Sequence, residues 1–141
     1  MGQVLRIFRV VDASGAGMYT GNVAHYDSEG VMLRRSLWEA ACMKNEFSPV
    51  HPAPQDDGIF DFSFSWLFAF QSMDLLQKWI YKTVWIENMH KLGARVICFT
   101  VVDDKVIRGN TQCVFDPTWA IQEYSLPIKE AIEFEESRIY A

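Results

Sequence analysis

Gln112 is the residue from which a reading of chemistry starts, because of the segment that holds it. Gly93-Ala-Arg-Val-Ile-Cys-Phe-Thr-Val-Val-Asp-Asp-Lys-Val-Ile-Arg-Gly-Asn-Thr-Gln-Cys-Val-Phe-Asp116 reads as a helix stop, a buried strand, an acidic turn, a glycine turn and a second strand. Gln112 is the first polar residue with a long reach on that second strand. Its amide can both donate and accept hydrogen bonds, which suits holding a ligand. It cannot offer negative charge to a cationic transition state, and losing one such electrostatic contact typically costs about 2.7–4 kcal/mol in barrier.

Other groups with chemical potential are scattered. Asp56-Asp57 and Asp103-Asp104 are carboxylate pairs, but adjacent residues on a turn point apart into solvent. His25, His51 and His90 sit in unrelated contexts, which gives no support for a Ser/His/Asp triad. His90 falls in the last turn of a predicted helix, where positive charge complements the dipole. His51, Asp56 and Asp57 form the only His/Asp cluster. It is too sparse for a metal site, so a polar loop with an Asp-Asp-Gly58 turn is expected. Cys42, Cys98 and Cys113 are odd in number and lack CxxC spacing. They are expected to be inert thiols, with Cys98 and Cys113 buried in apolar strands, in a reducing intracellular setting. Gly15-Ala-Gly17 lacks the third glycine of a dinucleotide loop, so residues 12–22 read as a flexible surface loop. No P-loop, nucleophile elbow, kinase signature, HExxH or EF-hand loop occurs.

Composition narrows the partners. The chain has 141 residues, 13 basic and 18 acidic, for a net charge of −5. That balance argues against broad nucleic-acid binding, which needs Lys and Arg to neutralise phosphates. Arg34-Arg35 is the densest basic spot. Half the residues are hydrophobic, enough for one domain over 1–141 with a real core. No apolar run approaches the roughly 20 residues of a membrane span, and no signal-peptide pattern opens the chain. Arg6 stands where myristoylation wants Ser or Thr. A cytoplasmic protein is expected.

The positioning elements follow from periodicity. Residues 4–11 read as a first strand. Residues 29–44 could form a short helix, with Leu33, Leu37, Ala40 and Ala41 on one face. Proline-rich 48–58 is an irregular loop. Phe60, Phe62, Phe64, Trp66, Phe68 and Phe70 alternate over 59–71; one uninterrupted strand would put them on a single core face, and a turn near Ser65-Trp66 would split the run into two short strands. Ser72 caps a helix over about 73–92 that Gly93 ends. Its core stripe is Leu75, Leu76, Trp79, Ile80, Thr83, Ile86 and Leu92, with Trp85 and Met89 at or beyond the edge. Strand 94–102 is apolar on both faces, as a central strand would be. Strand 111–115 puts Gln112 and Val114 on one face, and a short strand over 119–124 follows. After Pro127, Ile128, Ala131 and Ile132 favour a helix, while Glu-Phe-Glu at 133–135 keeps a strand open. The fold class expected is α+β: a mixed, mainly antiparallel sheet packed against one long helix, about 73–92, with one or two smaller helices.

Three segments taken together carry a resemblance. A first strand ends Ile-Phe8-Arg9-Val, an aromatic strand Phe68-Ala-Phe70-Gln-Ser72 enters a capped helix, and a strand–turn–strand ends Gly109-Asn-Thr-Gln112-Cys-Val-Phe-Asp. This order resembles the ADP-ribosyltransferase-like fold over about two-thirds of the chain. The resemblance implies that Arg9 contacts a dinucleotide, that Phe70 or Ser72 packs by the nicotinamide ribose, and that Gln112 stands where the family has its catalytic glutamate. The cofactor implied is NAD or a related nucleotide. With an amide at 112, nucleotide binding survives better than transfer chemistry, and no catalytic residue is assigned.

A second pattern joins the first strand, Gly15-Ala-Gly-Met-Tyr19, His51-Pro-Ala-Pro54 and Gln112-Cys-Val-Phe-Asp116. It resembles small bacteriophage-encoded proteins. Such a resemblance implies an accessory protein that engages a host protein or host defence complex. The alternative is a non-enzymatic stoichiometric inhibitor whose acidic balance suits a basic target. Tyr19, Tyr26, Trp38 and Trp85 are the candidate interface anchors.

Overall fold

The computed structural model describes residues 2–42 and 53–139. Val4-Leu-Arg-Ile-Phe-Arg-Val-Val11 is dense in β-formers and makes strand β1 (Val4–Val11). Next come β2 (Val23–Tyr26) and β3 (Met32–Arg35), paired antiparallel with Val23 opposite Arg35 and Tyr26 opposite Met32. Asp27 builds their turn: its Oδ1 accepts from the N–H groups of Glu29 and Val31, both at 2.9 Å. The helix expected over 29–44 is therefore shorter. Its first half is this turn and β3, and α1 (Leu37–Cys42) holds the rest of the described part. Ser36 caps its start, with Glu39 N–H donating to Ser36 Oγ at 3.1 Å and Ser36 Oγ donating to Glu39 Oε1 at 3.3 Å.

Residues Ser48 to Pro52 of the proline-rich loop, His51 among them, lie outside the described residues. Beyond them a 3-10 turn runs Pro54–Asp57, and the only strand in the aromatic run is β4 (Leu67–Ala69). An uninterrupted strand over 59–71 is absent, and of the two short strands that a turn near Ser65-Trp66 would leave only the second forms: Phe60 and Phe64 are exposed, and Asp61 takes a positive φ of 55° that no strand accommodates. Alternation alone did not make a strand here, because Ser63 and Ser65 close a turn around Phe64 through their hydroxyls.

The expected helix over 73–92 is two helices, α2 (Met73–Trp79) and α3 (Thr83–Lys91). The sequence Trp79-Ile-Tyr-Lys-Thr-Val-Trp85 is aromatic and β-branched, with weak helix propensity, yet has no Gly or Pro to mark a break. The break resets the helical phase. Trp85 and Met89 are the buried residues of α3, whereas Thr83 and Leu92 of the expected stripe are exposed. Gly93, at φ 85°, ends α3, with its N–H and that of Ala94 returning to the carbonyls of His90 and Met89.

The rest of the chain is β5 (Arg95–Val102), β6 (Val106–Arg108), β7 (Cys113–Phe115), β8 (Ala120–Pro127) and α4 (Ile128–Ile139). The C-terminal segment is thus helical. One sheet has the order β1–β5–β8, with β5 central as its two-sided apolar pattern requires, and another has the antiparallel order β4–β7–β6. The class is α+β.

The described residues form two compact units. The first draws on Met1–Arg9, Phe47–Tyr81 and Ile97–Ser125, the second on Val10–Glu46, Lys82–Val96 and Leu126–Ala141. In the first, Ile7, Ala69, Val101, Val106, Cys113 and Phe115 make the core, with Phe99 packed 5.1 Å from Phe115. In the second, Trp38 packs edge-on against Trp85 at 5.5 Å, and Asn88 Nδ2 donates to the Ala41 carbonyl at 2.9 Å, fastening α3 to α1. The N-terminus of α4 is held by Ile128 N–H on the Ala94 carbonyl and by Lys129 on Glu87 at 2.8 Å. Replacing Gly93 by Ala puts a side chain at a left-handed φ with its Cβ 3.1 Å from that of Ala13. G93A is expected to lower unfolding free energy by about 1–2 kcal/mol in a denaturant titration.

Candidate functional site

Arg9, Phe70, Ser72 and Gln112 all belong to the first unit and gather around one end of β4. Phe8 and Phe70 exchange two backbone hydrogen bonds of 2.8 Å, which sets β1 beside that end. Arg9, the next residue, donates from Nη1 to the Phe68 carbonyl at 2.8 Å. On the other edge β4 pairs with β7 up to Ala69 opposite Cys113, so the next residues on the two strands are Phe70 and Gln112. Gln112 precedes β7 and is not on it. It is 7% exposed, so the expected strand over 111–115 is shorter by two residues.

Phe70, Ser72 and Arg9 have side chains with a visible task in the fold, and Gln112 is held through its backbone. Phe70 is buried and its ring lies 5.5 Å from that of Trp79. Ser72 Oγ accepts from Leu75 N–H at 3.1 Å as the N-cap of α2, as expected, and Asp74 behind it pairs with Lys78 at 3.2 Å. Burial lowers the pKa of Arg9 below its ordinary value, because desolvation disfavours the charged form.

The residue that organises this end of the unit is one the sequence left in a polar turn. Asp57 is 2% exposed. Its Oδ1 accepts from Thr111 N–H and Thr111 Oγ1, each at 2.9 Å, and its Oδ2 accepts from Gln112 N–H at 3.0 Å. Its own carbonyl accepts from Asn110 N–H at 3.0 Å. Gly109 passes so close that a Cβ there would meet the carboxylate. The adjacent carboxylates do point apart, since Asp56 is exposed, but Asp57 points inward and not into solvent. The signal that was available is weak: an Asp-Asp-Gly turn and a Gly-Asn-Thr turn, each complete in local terms, with no pattern linking them across 50 or so residues.

Between Phe70 and Ser72, Gln71 donates from Nε2 to the Gly109 carbonyl at 3.0 Å, while its Oε1 is buried without a hydrogen-bond partner. Chemically the cluster offers a guanidinium, amides and a hydroxyl. Its one carboxylate, Asp57, is committed to three donors, so it is not placed to act as a base.

The remaining candidates lie elsewhere. Among the described residues no group of three His, Cys, Asp or Glu could hold a metal ion. Cys42, Cys98 and Cys113 are buried and not in disulfides, and burial pushes the thiols of Cys42 and Cys113 up to about 12. His90 Nδ1 accepts from Lys129 N–H at 3.4 Å, at the start of α4. The loop after β1 is tied, not open: Asp12 Oδ1 accepts from Ser14 N–H, Ser14 Oγ and Ala16 N–H, so amides that a phosphate would need are already used. Of the four aromatic interface candidates, Trp38 and Trp85 are buried and pack against each other, whereas Tyr19 and Tyr26 are exposed. The two tryptophans are not surface anchors, because α1 and α3 pack together through them.

Asp57→Ala is expected to cost about 3 kcal/mol or more in chemical denaturation, since it strands buried donors that now bond to a charged acceptor. Asp57→Asn, which keeps one acceptor oxygen, should cost less. Ser72→Ala should cost about 1 kcal/mol through loss of the cap.

A family model described as Bacteriophage T4 Y00F protein matches residues 3–129. No curated protein and no solved structure matches the chain.

Proposed function

The chain belongs to the bacteriophage T4 Y00F protein family, and from that premise we propose that it is a phage accessory protein acting as a stoichiometric, non-enzymatic binder of a host protein or of a host defence complex. The observation that supports this reading is the employment of the candidate nucleotide residues. Arg9 holds the Phe68 carbonyl, Phe70 is packed on Trp79, Ser72 caps α2, and the Gln112 N–H is held by Asp57. These contacts build a scaffold and leave the amide at 112 without the charge that transfer chemistry needs. The host cytoplasm is the place of action under this reading. Among the described residues no helix is long and apolar enough to cross a membrane.

A second reading keeps NAD or a related nucleotide as ligand at Arg9, Phe70, Ser72 and Gln112 on an ADP-ribosyltransferase-like scaffold. What favours it is Gln71 Oε1, a buried acceptor without a partner at the centre of that cluster. Thermal-shift titration with NAD, ADP-ribose and cyclic nucleotides separates the two readings. The binder reading expects no shift with any of them and no NAD hydrolysis by the wild type or by Gln112→Glu. It also expects a host protein retained from lysate at a fixed ratio, with unchanged mass. A nucleotide-induced shift, or a covalent mass increase on a host protein that depends on NAD, overturns it.

A further inference from the structure

We infer that the loop between Ile59 and Trp66 is the docking element, and that it fits a protein surface with an apolar pocket rimmed by lysine and arginine. This rests on the binder reading and gives it a location. Phe64 is 99% exposed and Phe60 59%. A phenylalanine left in water forgoes about 1.5–3 kcal/mol of burial, and two in one short loop are an apolar display.

The loop holds these rings outward by construction. Upstream, Asp57 is fastened to the 109–112 turn and Ile59 is 1% exposed. In the middle, Phe62 packs edge-on against Phe68 with centroids 5.5 Å apart. Downstream, Trp66 N–H closes a turn on the Ser63 carbonyl at 3.0 Å, and the Ser63 and Ser65 hydroxyls bond at 2.9 Å. Phe64 sits in that turn. Asp61, between Phe60 and Phe62, is held at a positive φ of 55°, a backbone state that non-glycine residues rarely adopt. Anchored on both sides, the two rings lose little freedom on binding, which favours affinity.

Charge selects the partner. No lysine or arginine occurs between Lys44 and Lys78. Asp56 and Asp61, both exposed, flank Phe60. Exposed Arg108 precedes the turn that holds Asp57, so the negative charge belongs to the loop itself, through Asp56 and Asp61; aromatic anchors flanked by these carboxylates pair with a basic rim around an apolar pocket. The same carboxylates repel nucleic acid and anionic lipid.

The test places the photo-crosslinker benzoylphenylalanine at position 64, and separately at exposed position 78 on α2, in the full chain. The probe is the heparin-retained, basic protein fraction of a host-cell lysate. The expected result is an adduct from position 64 whose partner peptide contains lysine or arginine. With that partner purified, Phe64→Ser should weaken binding roughly 30-fold. Asp56→Lys with Asp61→Lys should weaken it roughly 10-fold at low salt. Phe64→Ser should leave the melting temperature unchanged, since the ring has no contacts to lose. Adducts only with a second copy of the chain, with lipid, or from position 78 alone would overturn the assignment of the loop while leaving the binder reading intact. Unchanged affinity in the variants would do the same. If the tagged wild type retains no host protein by any route, the binder reading itself falls.

Discussion

The buried Asp57 carboxylate is the constraint on which the first unit hangs. A charge taken out of water is costly unless it is well hydrogen-bonded, and here two N–H groups and a hydroxyl from one turn bond to it. The arrangement works in both directions. The carboxylate is stabilised by the turn, and the turn before β7 has its amides satisfied by the carboxylate in place of a partner strand. This is why β7 starts at Cys113 and why Gln112, though sequence-adjacent to the ladder, stands outside it. Gly109 belongs to the same arrangement, because only a residue without a side chain can pass the carboxylate so closely.

Much of the fold was legible where the local signal and the tertiary outcome agree. β1 came from its β-formers, the centrality of β5 from its two apolar faces, the start of α2 from Ser72, and the end of α3 from Gly93. The failures share a cause. The α2–α3 break, the loss of the 59–71 strand and the shortening of the 29–44 helix each depend on contacts that periodicity does not encode. Asp27 and Ser36 carried readable turn and cap signals, and weighing them would have placed the boundary at Leu37.

The candidate site was legible in a narrower sense. Sequence order alone picked out residues that the fold gathers at one end of β4. It did not disclose what they do there, because Phe70 could as well stack on a ligand as on Trp79, and Arg9 could as well meet a phosphate as the Phe68 carbonyl. Nor did it separate the two kinds of aromatic residue in the run from Phe60 to Phe70. Even spacing suggested one face, whereas the turn at Ser63 puts Phe64 in water and leaves Phe70 in the core.

The way the chain alternates between its two compact units bears on how it must fold. Each unit is assembled from three separate stretches of sequence, so no short contiguous fragment contains a whole unit: the first needs residues 1 to 125 and the second residues 10 to 141. Every core must wait for distant segments to meet, which raises contact order and slows folding relative to a helical chain of the same length. An intermediate with only local structure would hold α1, α2 and the β2–β3 hairpin without either core. During synthesis neither unit can close until residues beyond 97 have emerged. A protein made in this way is sensitive to truncation at either end and offers no independently stable half.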